Sequence, residues 1–226
     1  MRSFIASLLL LLCCSTKAVA ADAYWLDQHN ALWYLFTGQL DAELREMQEE
    51  GSKNLLLHSD SLPPFVSRFI AWRAKAAANM NTVAWIQKPT RSNLLMASQL
   101  QGVTAVQIDD HYFNDPPVPL SELRSMLGQK RLWCSFQPRQ FSHQIASACD
   151  HSDVQIYRQG CMATGDMAWN MGITGYSNIK VAAYHDGSNQ GTELINCIKA
   201  DLNSLGTGLF VFKWKNQEAW LKHLFA

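Results

Sequence analysis

Gly102-Val103-Thr104-Ala105-Val106-Gln107-Ile108-Asp109-Asp110-His111-Tyr112-Phe113 is an apolar, β-branched run that stops abruptly in two carboxylates and an imidazole. A run of this length, opened by a glycine, suits a strand buried on both faces. Side chains alternate along a strand, so Gln107 and Asp109 share one face. Asp110 reaches that face only if the strand ends before it.

Working outward, the same pattern recurs at 31–36, 54–58, 82–87, 131–136, 153–157, 179–184 and 208–213, giving eight runs with the one at 104–109. Their starts lie 22 to 29 residues apart, which leaves room for a helix after each. Leu40, Leu44 and Met47 sit at helical spacing before Gly51. Pro63-Pro64 opens a helix on which Phe65, Phe69 and Trp72 share a face. Thr90 is a candidate N-cap for a stripe of Leu94, Leu95 and Leu100 that Gly102 ends. Further helices are expected over 121–127, 192–205 and 216–225, whereas 159–178 reads as a long loop with at most a short helix. Eight such units spell a minimal, single-domain (β/α)8 barrel, an α/β fold of about 200–250 residues. An open doubly wound sheet is the alternative, but no G-x-G-x-x-G turn follows the first strand.

In such a barrel the C-terminal strand ends meet at one mouth. Here they carry His58-Ser59-Asp60, Gln87-Lys88, Asp109-Asp110-His111-Tyr112, Ser135 with Gln137, Tyr157-Arg158, Tyr184-His185-Asp186 and Lys213-Trp214. Candidate catalytic residues are Asp109, Asp110 and Asp186, with Asp60 as a second choice for the partner carboxylate. Glycoside cleavage needs one acid and one nucleophile or base, which is why two carboxyls are sought. Asp186 precedes Gly187-Ser188 and equally suits a turn, and Asp60 equally suits a helix cap. His58, Asp60, Gln107, His111, Tyr112, Gln155, Tyr157, Arg158, Tyr184 and Trp214 are the candidate substrate contacts. Flat rings with polar tips match the faces and hydroxyl edges of sugars.

The other bounds are compositional. Equal counts of 19 basic and 19 acidic residues, with 48% hydrophobic content, argue against disorder and against nucleic acid as a partner. Residues 1–20 read as a signal peptide: Arg2, a short apolar run, then Ala18-Val19-Ala20 before the domain at 21–226. A lipoprotein signal at Cys13 or Cys14 is the competing reading. The chain is therefore expected to be exported, to the periplasm or beyond. No later stretch is apolar enough for a transmembrane segment. Cys134, Cys149, Cys161 and Cys197 admit three full pairings, and buried free thiols are equally compatible with the sequence. Neither a cofactor motif nor a paired-histidine metal motif is present.

Taken together, the 102–113 segment resembles the G-V/F-x-x-I/V-Q-I/L-D-D fourth strand of bacterial exported glycoside-hydrolase-like TIM-barrel proteins. Asp153-Val154-Gln155-Ile156-Tyr157-Arg158 is similar to their sixth-strand Q-I/V-Y-R segment, and 179–184 and 208–212 to their last two strands. The resemblance implies a hydrolase of polysaccharides or oligosaccharides acting through Asp109 and Asp110, with Tyr157 and Arg158 beside the substrate. No glutamate stands at a strand end, a departure from that pattern. Two other functions fit the residues: a glycan-binding barrel without catalysis, and a metal-dependent hydrolase using His58, Asp60, Asp109, His111 and His185.

Overall fold

The computed structural model describes residues 21–157, 159–185 and 188–212. Eight parallel strands pair in chain order and close into a barrel: β1 (Ala23–Leu26), β2 (Asn54–His58), β3 (Asn81–Ile86), β4 (Val103–Ile108), β5 (Arg131–Phe136), β6 (His151–Gln155), β7 (Ile179–Tyr184) and β8 (Gly208–Phe212). Ala23 against Phe210 and Tyr24 against Val211 make the closing β1–β8 contact. The described helices are α1 (Gln28–Thr37), α2 (Leu40–Glu49), α3 (Pro64–Ala78), α4 (Arg91–Gln99), α5 (Leu120–Leu127), α6 (His143–Ala146), α7 (Cys161–Asn170) and α8 (Asn189–Ser204). This is the (β/α)8 TIM barrel, and none of its described helices is long and apolar enough to cross a membrane.

Alternate strand residues fill the lumen. Trp25, Leu56, Val83, Trp85, Ala105, Trp133, Ala182 and Phe210 form one buried cluster, capped by Tyr157 and Phe212. Trp25 meets Phe210 edge-on at 5.6 Å, and Trp133 stacks on Phe210 at 5.6 Å. Cutting Trp133 back to alanine would cost about 3–5 kcal/mol, the usual penalty for emptying an aromatic core site. The opposite strand faces pack under the helices in a separate, larger cluster. The lumen is thus largely an aromatic plug.

Two expectations need correction, and a third gains a detail. The first strand is Ala23–Leu26; the 31–36 run belongs to α1, which Asp27 caps by accepting from the Asn30 amide at 2.9 Å and Gly38 ends at φ 71°. The 159–178 segment contains a ten-residue helix, α7, fastened to α8 by a Cys161–Cys197 disulfide. Phe65, Phe69 and Trp72 do share a face of α3, but it is the outer one: they are exposed, while Ser67, Ile70, Ala71 and Ala74 meet the sheet. Small residues there let the helix lie close to the strands. The second disulfide, Cys134–Cys149, joins β5 to the segment after α6. The helix expected over 216–225 lies outside the described residues.

Candidate active site

β4 ends at Ile108, and the chain turns at once into a 3-10 turn over Asp110–Phe113. That turn resolves the alternation problem, since Asp110 leaves the strand and swings toward the mouth beside Asp109. Both residues are 5% exposed. They border a cavity of about 220 Å³ lined by Trp25, Trp85, Gln87, Asp109, Asp110, His111, Gln155, Tyr157 and Phe212. A shallower hollow of about 640 Å³ shares Gln87 and His111 with it and continues over Lys88, Pro89, Thr90, Asp115 and Pro117. The floor is aromatic and the rim polar.

Glutamines hold the acids in place. Asp109 Oδ1 accepts from the Asp110 amide at 2.9 Å and from Gln155 Nε2 at 2.9 Å. Gln137 Nε2 donates to Asp110 Oδ2, and Gln140 Nε2 donates to the Asp110 carbonyl at 3.0 Å. His111 Nδ1 lies 3.2 Å from Asp110 Oδ1 and 3.8 Å from Asp109 Oδ2. Burial, followed by the negative charge of Asp110, raises the Asp109 carboxyl from 3.8 to about 7. Burial beside a second carboxylate thus favours the protonated form of Asp109. Burial also drives the Tyr157 hydroxyl well above its ordinary range, with Asp153, Asp109 and Asp110 adding to it. Tyr157 is a neutral hydrogen-bonding group at the cavity wall.

Beneath the pair lies a third acid that the sequence reading did not single out. Asp153, on β6, is fully buried and held well above the normal carboxyl range, chiefly by burial. Bonds from Ser135 and Gln107 oppose that rise, and the charges of Asp109 and Asp110 add to it. The signal was available: counting back by two from Tyr157 through Gln155 along one strand face lands on Asp153.

The other expected residues fall into three groups. His111, Gln155 and Tyr157 line the cavity with Asp109 and Asp110. Tyr184 flanks it, its ring 6.5 Å from Tyr157 and 6.0 Å from Phe212. Elsewhere the structure engages the side chain away from the cavity. Gln107 is wholly buried and spends its amide on Trp25 and Asp153. The Tyr112 hydroxyl donates to the Val118 carbonyl at 2.5 Å. His58 packs on Trp85 at 4.4 Å and pairs with Asp60, whose other oxygen accepts from the Lys88 amide at 2.7 Å. The Asp60–Lys88 bond ties the segments after β2 and β3 together. Asp186, Arg158 and Trp214 lie outside the described residues. Gln87, read at a strand end, also lines it, whereas Trp25, Trp85 and Phe212 were passed over because they sit within strands or at a strand's last residue.

Ligand atoms of Asp109, Asp110 and His111 lie within 4.8 Å of one another, a spacing that a divalent cation could bridge and that acidic groups also adopt without one. His58, Asp60 and His185 do not join that group; His185 Nε2 lies 3.1 Å from Thr192 Oγ1.

No protein-family model matches the chain, and none of the curated proteins compared with it matches either. Solved structures do. A 3-dehydroquinate dehydratase from Geobacillus kaustophilus aligns with TM-score 0.56 at 10% identity over 88% of this chain and 83% of its own. An N-acetylmannosamine-6-phosphate 2-epimerase from Clostridium perfringens gives 0.54 at 7% over 93% and 94%. A Rhizomucor miehei β-1,3-glucanosyltransferase, solved as an active-site mutant with laminaritriose, gives 0.53 at 9% over 78% and 80%. At such identities these likenesses establish the TIM-barrel fold and nothing finer, since one barrel hosts many chemistries.

Proposed function

We propose that the barrel mouth cleaves a glycan by general acid catalysis, with the Asp109–Asp110 pair as proton source. The observation that carries this reading is a carboxyl raised to about 7 in a cavity walled by Trp25, Trp85, Tyr157 and Phe212. Near neutral pH Asp109 keeps a proton to give, and the rings offer a stacking surface for a sugar. When the proton passes to the leaving glycosidic oxygen, Asp109 becomes an anion. The Asp110 and Gln155 N–H groups already aimed at its Oδ1 then strengthen. The adjoining hollow gives a longer chain somewhere to lie.

Asp109 and Asp110 are too close to act as the two separated carboxyls of an inverting site, which stand about 6.5–9.5 Å apart around a water. They work as one unit in this proposal, so the nucleophile or base is another residue. Asp186, after β7, is our choice. In the same proposal residues 1–20 are an export signal and 21–226 the working domain. The two disulfides support an oxidising destination.

A panel of bacterial and extracellular polysaccharides, scored for newly released reducing ends, tests the reading. Wild type releases them. Asp109→Asn and Asp110→Asn each lose about 10²–10⁴-fold in kcat while still binding the polymer, the usual worth of a positioned acid. Unchanged hydrolysis in either variant excludes that residue. A glycan-binding barrel without catalysis is the second reading, favoured because, among the described residues, the cavity lining holds no carboxylate besides this pair. It gives polymer retention by wild type with no reducing ends.

A further inference from the structure

We propose that Asp153 is a positioning residue for Asp109, acting through Ser135 and Gln155 to decide which oxygen of Asp109 carries the proton. The inference rests on the reading of Asp109 as the acid. The hydrogen-bond directions fix it. Trp25 Nε1 donates to Gln107 Oε1 at 2.9 Å, which obliges the other end of that amide, Nε2, to donate to Asp153 Oδ1 at 2.6 Å. Asp153 Oδ2 is 2.6 Å from Ser135 Oγ. Ser135 Oγ in turn accepts from Gln155 Nε2 at 2.8 Å, and the second hydrogen of that same nitrogen goes to Asp109 Oδ1 at 2.9 Å.

An indole, two amides, a hydroxyl and two carboxyls thus form one chain, in which no amide can be flipped without breaking two bonds. Its upper end delivers an N–H to Asp109 Oδ1. The Asp110 amide delivers another, so that oxygen is saturated with donors. Oδ2, the atom nearer His111, is left to hold the proton. The backbone built this register: Ser135 and Asp153 are directly paired across β5 and β6, and Gln155 follows two residues later on the same face. Asp153 touches no cavity surface itself, being fully buried and absent from the lining.

The test is a set of variants on whichever glycan wild type cleaves. Asp153→Ala lowers kcat about tenfold with KM within about twofold, a modest share of an acid's usual effect. Asp153→Asn recovers to within about threefold, because its oxygen still receives Gln107 and its amide still meets Ser135. In a Gln155→Leu background, Asp153→Ala lowers kcat no further, since its route to Asp109 is already cut. A purely structural role would multiply the two losses, and that result, or full kcat in Asp153→Ala, overturns the proposal. Should Asp153→Ala not fold, Ser135→Ala is compared in the same two backgrounds. If wild type cleaves no glycan, the proposed function falls, and the positioning is then read from the Gln155 side-chain amide protons by NMR. Both resonances shift in Asp153→Ala or Ser135→Ala; unmoved signals refute the chain.

Discussion

Replacing Asp109 by asparagine should stabilise the protein, by an amount that grows as the pH rises from about 4 to about 7 and is constant above that. The carboxyl is raised from 3.8 to about 7 by burial and by Asp110. Below 3.8 the folded and unfolded chains both hold the proton, so folding loses nothing. Between 3.8 and about 7 the unfolded chain ionises and the folded one does not. Above about 7 the full difference stands, up to about 4 kcal/mol at about 1.4 kcal/mol per pH decade. Asparagine mimics the protonated acid: its oxygen accepts from the Asp110 and Gln155 N–H groups, and its amide faces Asp110. We expect Asp109→Asn to gain about 2–4 kcal/mol at about pH 8 and less than about 0.5 kcal/mol at about pH 4. Urea unfolding at several pH values with disulfides intact measures it. A stability change that is the same at every pH, or a loss at about pH 8, would refute the reasoning. Catalytic groups that strain their fold commonly show this trade between activity and stability.

The Cys161–Cys197 bridge closes 36 residues and Cys134–Cys149 closes 15, so Cys161→Ser/Cys197→Ser should cost about 3–4 kcal/mol and the other pair about 3, read by denaturant midpoints. A Cβ on Gly165 of α7 would come within 1.8 Å of Asp201 on α8. The atom it meets is the end of a side chain that can turn aside, and alanine is favoured over glycine in a helix by about 1 kcal/mol, so Gly165→Ala should change stability by no more than about 1 kcal/mol and adding Asp201→Ala should raise it; a loss of about 3 kcal/mol that Asp201→Ala does not relieve would mean that helix packing sets the cost. Chelation with millimolar EDTA should leave glycan cleavage unchanged, whereas loss of activity would reassign Asp109, Asp110 and His111 to holding a cation.

Most of the barrel was legible because a parallel strand buried on both faces writes a continuous apolar run. Seven of the eight strands fall where such runs were read, three of them to the residue: Asn54–His58, Arg131–Phe136 and Ile179–Tyr184. The miss was β1, only four residues long, so the longer apolar stretch of α1 outweighed it. α7 escaped because Gly165 interrupts its period; the disulfide to α8 and the close approach over Gly165 supply what propensity does not. At the site, Asp109 and Asp110 were readable as charges ending an apolar strand. Asp153 was passed over, although alternation through Gln155 and Tyr157 points to it, because a strand begun at that residue makes the aspartate look like a boundary. It lies in the middle of β6. Tyr112 and Gln107 were named from position alone, and only packing reveals that their polar atoms are already committed.

The pH dependence of kcat/KM for glycan cleavage tests the central claim most directly. If the Asp109–Asp110 pair supplies the proton, the rate falls on the alkaline side with a midpoint near the value of about 7 set by burial and the neighbouring charge. A rate that holds level through about pH 9 would mean that this carboxyl is not the acid, and the mouth would have to work by some other group.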